Sequence, residues 1–260
     1  RASLFPGTPI IAGVTRGTPD SLPAGIIGVV TRTQMQTTLE LALGLHPGTR
    51  RVVVVAGASP MDRREAQSVL REFRAAAPGI EIVDLGPLPM EKIVKAVAVL
   101  PPNTVIFYLH ILQDGDGRWF VPRDALAEIA QRANAPIYAP YDPFVGHGIV
   151  GGHVYSFEAA AAKIAGIALQ TLRGERPDGG AIIHDANVYM FDWRQLQRWR
   201  VDERRLPAGS VVRFREHTVW DSHRWWVMGG IAALVAQAAL IAGLLVSRAQ
   251  RRRAQRELAE

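Results

Sequence analysis

The feature that most restricts the fold of this chain is an apolar stretch at residues 225–246, which reads WWVMGGIAALVAQAALIAGLLV. It contains no charged side chain, and Gln237 is its only strongly polar residue. A helix of this length spans roughly 33 Å, which is enough for a hydrocarbon core of about 30 Å. A helix also satisfies every backbone polar group within the segment, as a lipid environment requires. The stretch therefore predicts a transmembrane helix over residues 225–246.

The two ends of this stretch differ in a way that is typical of a membrane span. Trp225 and Trp226 stand at its first end, and indole rings favour the headgroup region. A cluster of arginines follows Ser247 at the other end. The positive-inside rule therefore predicts that residues 1–224 are extracytoplasmic and that residues 247–260 are cytoplasmic, in the inner (plasma) membrane. The alternative is a helix buried in a soluble core, which would not need such asymmetric flanks.

The charge of the chain belongs largely to this basic flank. Residues 248–260 carry half of the net charge of +6, so the remainder does not suggest a nucleic-acid-binding surface. Hydrophobic residues make up 48% and charged residues 21%, which is ordinary for a folded chain and excludes a mostly disordered one. The chain has no cysteine, which excludes disulfides, cysteine-bound metals and a thiol nucleophile.

The two ends of the chain predict that it is part of a longer protein. The chain begins with Arg1, and residues 1–14 lack the basic, apolar and small-residue layout of a signal peptide. Because a domain outside the membrane has to be exported, we expect an export signal or a first membrane helix before Arg1. The last residues, RRRAQRELAE, are rich in helix formers and predict a cytoplasmic helix that continues beyond Glu260.

Residues 1–222 alternate between strand-like and helix-like stretches. The run VVVV within residues 51–56 is typical of a strand that is buried on both faces. Ser156 and Gly174 suit the cap and the stop of a helix between them. This alternation predicts an α/β domain with a parallel sheet and helices on both faces. Strands are expected at 9–14, 26–30, 51–56, 80–85, 104–109 and 136–139, and helices at 33–45, 60–77, 90–99, 122–133 and 156–172.

The loops at the carboxyl ends of these strands carry the candidate binding residues. Ligands of open α/β sheets bind beyond the carboxyl ends of the strands. Loops 14–20, 56–63, 108–119 and 139–153 lie there and are rich in Gly, Pro, Asp or Ser. Their phenol, carboxylate, hydroxyl and imidazole groups suit the orientation of a polar ligand in a cleft. The candidate ligand-binding residues are Ser59, Asp62, Tyr108, His110, Tyr141 and Asp142.

Most of these residues also have a purely structural interpretation. The first pair, Ser59 and Asp62, suits the N-terminal cap of the helix that starts near residue 60. The carboxylate of Asp142 can cap a turn instead of holding a ligand. Tyr108 and His110 end a strand, where their side chains can pack against the end of the sheet. The sequence leaves both interpretations open.

No cofactor, metal or catalytic residue is expected in this stretch. His147 and His153 stand six residues apart in a glycine-rich loop, but no cysteine or close acidic pair joins them as metal ligands. Asp114 and Asp116 flank Gly115 and predict a turn rather than a calcium loop. The chain has no G-K-[ST] phosphate loop and no G-x-S-x-G elbow, so neither a nucleotide site nor a serine hydrolase is indicated.

Several motifs together resemble a known family of binding domains. The segments PIIAGVT at 9–15, GIIGVV at 25–30, VVVVAGASPMDRR at 52–64 and YDPFVGHGIVGG at 141–152 are similar to those of the type I periplasmic binding fold. They most resemble the ABC-transporter substrate-binding-like sensor domain of certain bacterial sensor histidine kinases. The segment at 192–216, followed by Trp220, resembles the strip that such receptors place before their last membrane helix.

The resemblance implies a division of the chain into two lobes and a membrane-linked part. The glycines of GHGIVGG would allow the backbone to cross between the lobes. Trp193, Trp199 and the neighbouring arginines would serve in packing and coupling near the membrane rather than in binding nucleic acid. The implied parts are a remnant of the N-terminal lobe at 1–30, a C-terminal lobe at 31–140, a crossover and returning helix at 141–175, a coupling strip at 176–224, the transmembrane helix at 225–246 and the start of a cytoplasmic helix at 247–260.

The resemblance also implies a function. The chain would be the extracytoplasmic ligand-sensing and signalling part of a two-component sensor histidine kinase, with a small molecule bound between the lobes. Its partners would be the membrane, a second copy of itself and a response regulator, and ATP and Mg would belong to a kinase domain outside this stretch. One alternative is a membrane-tethered solute-binding protein that serves an ABC transporter without a kinase. A membrane-anchored α/β hydrolytic enzyme is the other.

Overall fold

The computed structural model of the chain describes residues 8–14, 26–31, 33–175, 181–216, 225, 228–243 and 248. The chain divides into two compact units, Arg1–Arg215 and Glu216–Glu260. The first unit contains a seven-stranded and a three-stranded β-sheet. In chain order its strands are β1 (Ile10–Val14), β2 (Ile26–Val30), β3 (Arg51–Val55), β4 (Glu81–Asp84), β5 (Thr104–Tyr108), β6 (Ile137–Tyr138), β7 (Gly151–Tyr155), β8 (Ala181–Ile183), β9 (Asn187–Asp192) and β10 (Val211–Arg213). The helices are α1 (Met35–Leu45), α2 (Pro60–Ala76), α3 (Met90–Val97), α4 (Pro122–Arg132), α5 (Phe157–Leu172) and α6 (Trp193–Arg198).

The seven-stranded sheet is mostly parallel. Its spatial order is β10-β9-β7-β6-β5-β3-β4, and β4, β3, β5, β6 and β7 pair in parallel. β9 pairs with β7 in the antiparallel direction, and β10 pairs with β9 in parallel. The predicted α/β class is confirmed, and the predicted parallel sheet is found except at the edge formed by β9 and β10.

The central valine run shows why this sheet forms. Val52, Val53, Val54 and Val55 are fully buried on β3. Side chains alternate across a strand, so Val53 and Val55 join the core under α3 and α4, whereas Val52 and Val54 join the core under α1 and α2. Each side chain of this kind stabilises the fold by about 1.5–3 kcal/mol through burial. This sheet with α1–α4 is called the large lobe below.

The small lobe consists of the three-stranded sheet and α5. Its strands are all parallel in the order β1-β2-β8, and α5 packs against β1. A Cβ added to Gly13 on β1 would lie 2.7 Å from Ile164 Cδ1, so glycine permits this close approach of helix and strand. The chain enters the small lobe at α5, which follows a strand of the large sheet, and leaves it after β8.

Three chain segments connect the lobes: one between β2 and α1, one at Ser156 and one at residues 184–186. The segment at residues 184–186 is hydrogen-bonded to each of the other two. Gln34 Nε2 donates to Asp185 Oδ2 over 3.4 Å, and the Ser156 backbone N–H donates to the Ala186 carbonyl over 2.8 Å. These three adjacent segments are called the hinge below, because movements between two lobes usually occur at a few connecting residues of this kind.

The glycine-rich loop has a different role from the one expected. A Cβ on Gly148 would lie 2.2 Å from Ala130 Cβ, and a Cβ on Gly151 would lie 2.2 Å from the Met190 carbonyl oxygen. Both glycines have positive φ angles, +110° and +149°. They permit close packing of α4 and β9 inside the large lobe, and the crossing between lobes lies at Ser156 instead.

Parts of the coupling strip predicted at residues 176–224 belong to both lobes. β8 completes the small sheet, although the sequence division places residues 181–183 in this strip. Further along, Arg198 Nη2 donates to the Ala133 carbonyl over 3.0 Å, just past the end of α4. Arg205 Nη2 donates to the Gly44 carbonyl over 2.6 Å, in the last turn of α1. Both arginines satisfy carbonyls that helix ends leave without an intrahelical partner.

The second unit is described in part. Residues 228–243 are helical, and every one of them is exposed. Among the residues that the structure describes, none of the helices combines the length and the apolar character needed to cross a membrane. Trp220, Trp226 and all but residue 248 of the predicted cytoplasmic segment 247–260 lie outside the described residues, as does most of loop 14–20.

Candidate functional site

A cleft of about 580 Å³ opens at the carboxyl ends of the central strands. His110 follows β5, Tyr141 follows β6, and Met61 lies in the first turn of α2 after β3. Phe157, the first residue of α5, contributes from the small lobe. The walls are mainly apolar, and the lining residues are Met61, His110, Leu112, Val121, Pro122, Arg123, Tyr141, Pro143, Phe144 and Phe157.

Large apolar side chains stand exposed around this cleft. Met61 is 47% exposed, Phe157 51% and Val121 57%. An apolar surface that converges on a concave site, with few polar groups among it, is typical of a small-molecule binding site.

A second cavity of about 620 Å³ lies at the amino ends of β3, β5 and β6, lined by Pro101, Asn103 and Trp199 among others. Its position is opposite to the edge where open α/β sheets bind ligands.

The floor of the cleft holds a chain of four polar side chains. His110 Nε2 lies 2.8 Å from Asp62 Oδ1, and His110 Nδ1 lies 3.4 Å from Glu65 Oε2. The Tyr141 hydroxyl donates to Glu65 Oε1 over 2.9 Å. Asp62 and Glu65 are buried, and His110 retains 11% side-chain exposure. We call Asp62, His110, Glu65 and Tyr141 the floor network.

Asp62 anchors the floor network to the backbone around it. Its Oδ2 accepts from the backbone N–H groups of Ser59 (3.3 Å), Leu112 (3.2 Å) and Gln113 (3.4 Å). Burial pushes the pKa of this carboxyl up, but the hydrogen bonds from His110, Ser59 and Leu112 prevail and lower the pKa below its ordinary value. Asp62 is therefore ionised at neutral pH and fixes the loop after β5 against the start of α2.

Ser59 and Tyr108 lie away from the cleft. The Ser59 hydroxyl accepts from the Asp62 backbone N–H over 3.1 Å and completes a capping box at α2, as the structural interpretation expected. Tyr108 is fully buried in the large lobe, where its hydroxyl donates to the Pro122 carbonyl over 2.6 Å. Burial raises the pKa of the Tyr108 phenol. Neither residue lines the cleft in this structure.

Tyr141 lies in the cleft, whereas Asp142 lies near the hinge. Tyr141 lines the cleft and forms an isolated parallel bridge with Tyr155, next to the Ser156 crossing. The Asp142 carboxyl faces the first turn of α5. Burial raises the pKa of Asp142, and the opposing hydrogen bonds come from the Phe157 backbone and the Ser156 side chain. Asp142 therefore lies next to the Ser156 segment that leads into α5.

Of the six predicted residues, the structure brings His110 and Tyr141 to the cleft surface, with Asp62 directly beneath. Sequence reasoning missed Glu65 and the apolar walls, above all Phe144 and Phe157. The signal for Glu65 is its spacing, because residues three apart on a helix share one face and Asp62 was already a candidate. Phe157 directly follows the predicted helix cap Ser156, so Phe157 lies next to the hinge.

The described residues contain no cluster of three or more His, Cys, Asp or Glu side chains suited to hold a metal ion. His153 lies on β7, where its ring centroid is 4.4 Å from that of Tyr189. Burial lowers the pKa of His153, and the nearby Asp185 opposes the shift. Asp114 accepts from the backbone N–H groups of Asp116 and Arg118, at 3.1 Å and 2.9 Å, as expected for a turn.

Comparisons with known proteins agree with the architecture. No protein-family model and no curated protein matches the chain. Among solved structures, it is similar to a ligand-free, open substrate-binding protein with adhesive properties from Clostridium difficile, with a TM-score of 0.60 and 14% identity over 80% of this chain and 71% of that one. It is also similar to an ABC domain from Streptococcus pneumonia in complex with L-Trp, with a TM-score of 0.54 and 20% identity over 81% and 74% of the two chains.

A third similar structure is a conserved domain protein from Vibrio cholerae O1 biovar El Tor, with a TM-score of 0.52 and 15% identity over 72% of this chain. The chain spans 62% of the length of that protein. At such identities the likeness concerns the fold. The chain therefore shares the α/β fold of these three structures.

Proposed function

We propose that the chain binds a small organic molecule in the cleft between its two lobes. The cleft itself carries this proposal, because exposed apolar side chains surround a buried polar floor network in a cavity of about 580 Å³. Cavities of a few hundred Å³ with such linings are the common form of small-molecule sites. The similar structures support it, since one is described as a substrate-binding protein and another holds L-Trp.

Binding would bias the hinge between the lobes. Phe157 belongs to the small lobe, whereas His110 and Tyr141 belong to the large lobe. A ligand that touches all three makes more contacts when the lobes close, so it shifts the equilibrium towards the closed state. The bridge from Tyr141 to Tyr155 lies beside the Ser156 crossing segment.

Replacing Phe157 by alanine is expected to weaken binding of any cleft ligand about tenfold, because the small lobe loses its aromatic contact. The measurement is a thermal-shift screen of small aromatic and aliphatic amines, acids and alcohols, followed by calorimetric titration of each hit. Leu172→Ala is the matched control, since Leu172 is 78% exposed at the far end of α5. A screen without hits, or hits that ignore Phe157→Ala, contradicts the proposal.

The proposed setting is the outer face of the inner membrane. Support comes from the sequence of residues 225–246, with its tryptophan edge and its arginine edge, and from the exposure of apolar side chains on the helical residues 228–243. In this arrangement residues 1–224 face the extracytoplasmic side and 247–260 the cytoplasm. Two copies would pair, and a hinge movement would alter the packing of their membrane helices.

We propose that the chain is part of a sensor histidine kinase, which ligand binding would regulate. Two features support this proposal: the strip at 192–216, and the order of binding domain, apolar segment and arginine-rich segment. A tethered solute-binding protein of an ABC transporter is the second candidate, and the similar structures favour it equally. We expect the coding sequence beyond Glu260 to encode a phosphoacceptor histidine helix and an ATP-binding domain. A stop codon soon after Glu260 would contradict the kinase proposal and favour the solute-binding protein of an ABC transporter.

A further inference from the structure

A buried imidazole lies beside the hinge. His153 is on β7, shortly before the Ser156 segment, and only 9% of this residue is exposed. Its backbone N–H donates to the Thr38 hydroxyl on α1, which in turn donates to the His153 carbonyl, both over 3.1 Å. The ring nitrogen Nδ1 is buried without a hydrogen-bond partner among the described residues. Buried polar atoms are nearly always paired, so this nitrogen is an exception within a well-anchored strand.

A carboxylate of the hinge acts on this imidazole. Asp185 and His153 influence each other's pKa through their charges, so the two side chains are near one another. Asp185 also connects two of the hinge segments, because its Oδ2 accepts from Gln34 Nε2 over 3.4 Å. Its Oδ1 accepts from the Asn187 backbone N–H over 2.9 Å. One carboxylate therefore serves both the link between hinge segments and the surroundings of the imidazole.

The two groups differ in charge at neutral pH. Burial lowers the pKa of His153 below its ordinary value of 6.5, and the charge of Asp185 offsets only part of this shift. Burial raises the pKa of Asp185, but the hydrogen bonds from Asn187 prevail and lower it. At pH 7 the imidazole is therefore neutral and the carboxylate is ionised.

Acid changes this balance. A proton added to His153 creates a buried cation, which is costly until it finds a negatively charged partner. A hydrogen bond between an imidazolium and a carboxylate is stronger than one from the neutral amide of Gln34. Protonation therefore favours an arrangement in which Asp185 turns from Gln34 to His153. That turn removes a link between the first and the third hinge segments.

Other titratable or charged groups surround the same part of the hinge. His184 precedes Asp185 in the third segment, and the Tyr189 ring on β9 lies 4.4 Å from the imidazole, measured between centroids. Asp142 lies next to the Ser156 segment. Arg32 belongs to the first segment but lies outside the described residues. A response of His153 must therefore be separated from the titration of His184 and Asp142.

We infer that His153 and Asp185 form a proton-sensing site in the hinge, where protonation of His153 releases Asp185 from Gln34 and shifts the equilibrium between two arrangements of the lobes. Neither His153 nor Asp185 lines the cleft, so this response needs no ligand there. A proton and a cleft ligand would act on the same hinge, and each would change the effect of the other.

The test measures the distance between the lobes of the full chain in a mild non-ionic detergent, without added ligand, from about pH 7.5 to about pH 5. The chain has no cysteine, so Val99→Cys on the large lobe and Leu172→Cys on the small lobe provide unique sites for spin labels. Both positions are exposed, by 77% and 78%. Pulsed electron resonance then gives the distance distribution.

The ratio of two populations is expected to change about tenfold in acid, which corresponds to one unit of difference in the His153 pKa between the two arrangements. The midpoint is expected below pH 6.5. His153→Gln is expected to lose the response. Asp185→Asn, at an exposed position, is expected to move the midpoint to lower pH, because Asp185 favours the protonated imidazole.

His184→Gln is the matched control, since it makes the same change in the hinge itself, and Asp142→Asn controls for the other hinge carboxyl. Both are expected to keep the response of the parent. A parent distribution that does not change with pH overturns the inference. So does a response that survives in His153→Gln, shown to be folded by its circular dichroism at pH 7. If His153→Gln does not fold, Asp185→Asn decides, because an unchanged or higher midpoint there also overturns the inference.

Discussion

Replacing Asp62 by alanine is expected to lower the free energy of unfolding by about 3–5 kcal/mol, because several buried donors lose the carboxylate that they share. The change leaves His110 without the carboxylate 2.8 Å from its Nε2. It also leaves the backbone N–H groups of Ser59, Leu112 and Gln113 without their acceptor. Urea denaturation followed by circular dichroism measures the loss.

Asp124→Ala is the control for this experiment, because Asp124 is exposed and its pairing with Arg123 contributes little. The pH dependence gives a second check. The folded-state pKa of Asp62 is lowered, so its stabilisation is present above the unfolded value of about 4 and is lost as the pH falls through the lower folded value. The gap between wild type and variant is therefore expected at pH 7 and should shrink below about pH 4. Equal losses for Asp62→Ala and Asp124→Ala would contradict the anchoring role of Asp62.

Replacing Gly151 by alanine is expected to destabilise the large lobe by about 3 kcal/mol, as overpacking and strain combine. The new Cβ would lie 2.2 Å from the Met190 carbonyl oxygen and 2.9 Å from Phe191 Cα. The φ of +149° at this position adds strain for any other residue. Since Gly151 pairs with Phe191 at the end of β7 that is farther from the hinge, the two strands must move apart at that end.

Gly166→Ala is the matched control, because Gly166 lies inside α5 with no atom within 4 Å of the added Cβ. That change is expected to stabilise the chain by about 0.5–1 kcal/mol, since alanine favours a helix more than glycine does. Both variants are measured by thermal and urea unfolding. A Gly151→Ala protein as stable as Gly166→Ala would show that β9 approaches β7 less closely than described.

The elements of the large lobe could be predicted because their signals are local. The buried valine run of β3 can be recognised within a few residues of sequence, and so can the capped, amphipathic α2. β7 and β9 gave no such signal, since β7 begins with two glycines and β9 forms the antiparallel edge only after a long excursion of the chain. β8 is three residues long, and its pairing with β2 is a matter of topology rather than of composition.

The position of the candidate site could be predicted in outline because parallel strands bring their carboxyl ends to one edge. This rule placed His110 and Tyr141 correctly at that edge. It could not tell which way each side chain turns, so Tyr108, two residues before His110, was expected at the cleft and lies in the core. Glu65 was missed because a buried carboxylate inside a helix looks like a solvated one until its partners are known.

The split small lobe has a consequence for how the chain acquires its structure. Strands β3 to β7 follow one another along the chain, so the large lobe can condense from largely local contacts. The small sheet joins β2 to β8 across nearly all of that length, which makes its closure entropically costly and late. Folding then proceeds from the large lobe outward, and the second wall of the cleft is the last part to form and the first to open locally. A nascent or partly unfolded molecule would thus retain its floor network while lacking the small lobe on the other side of the cleft.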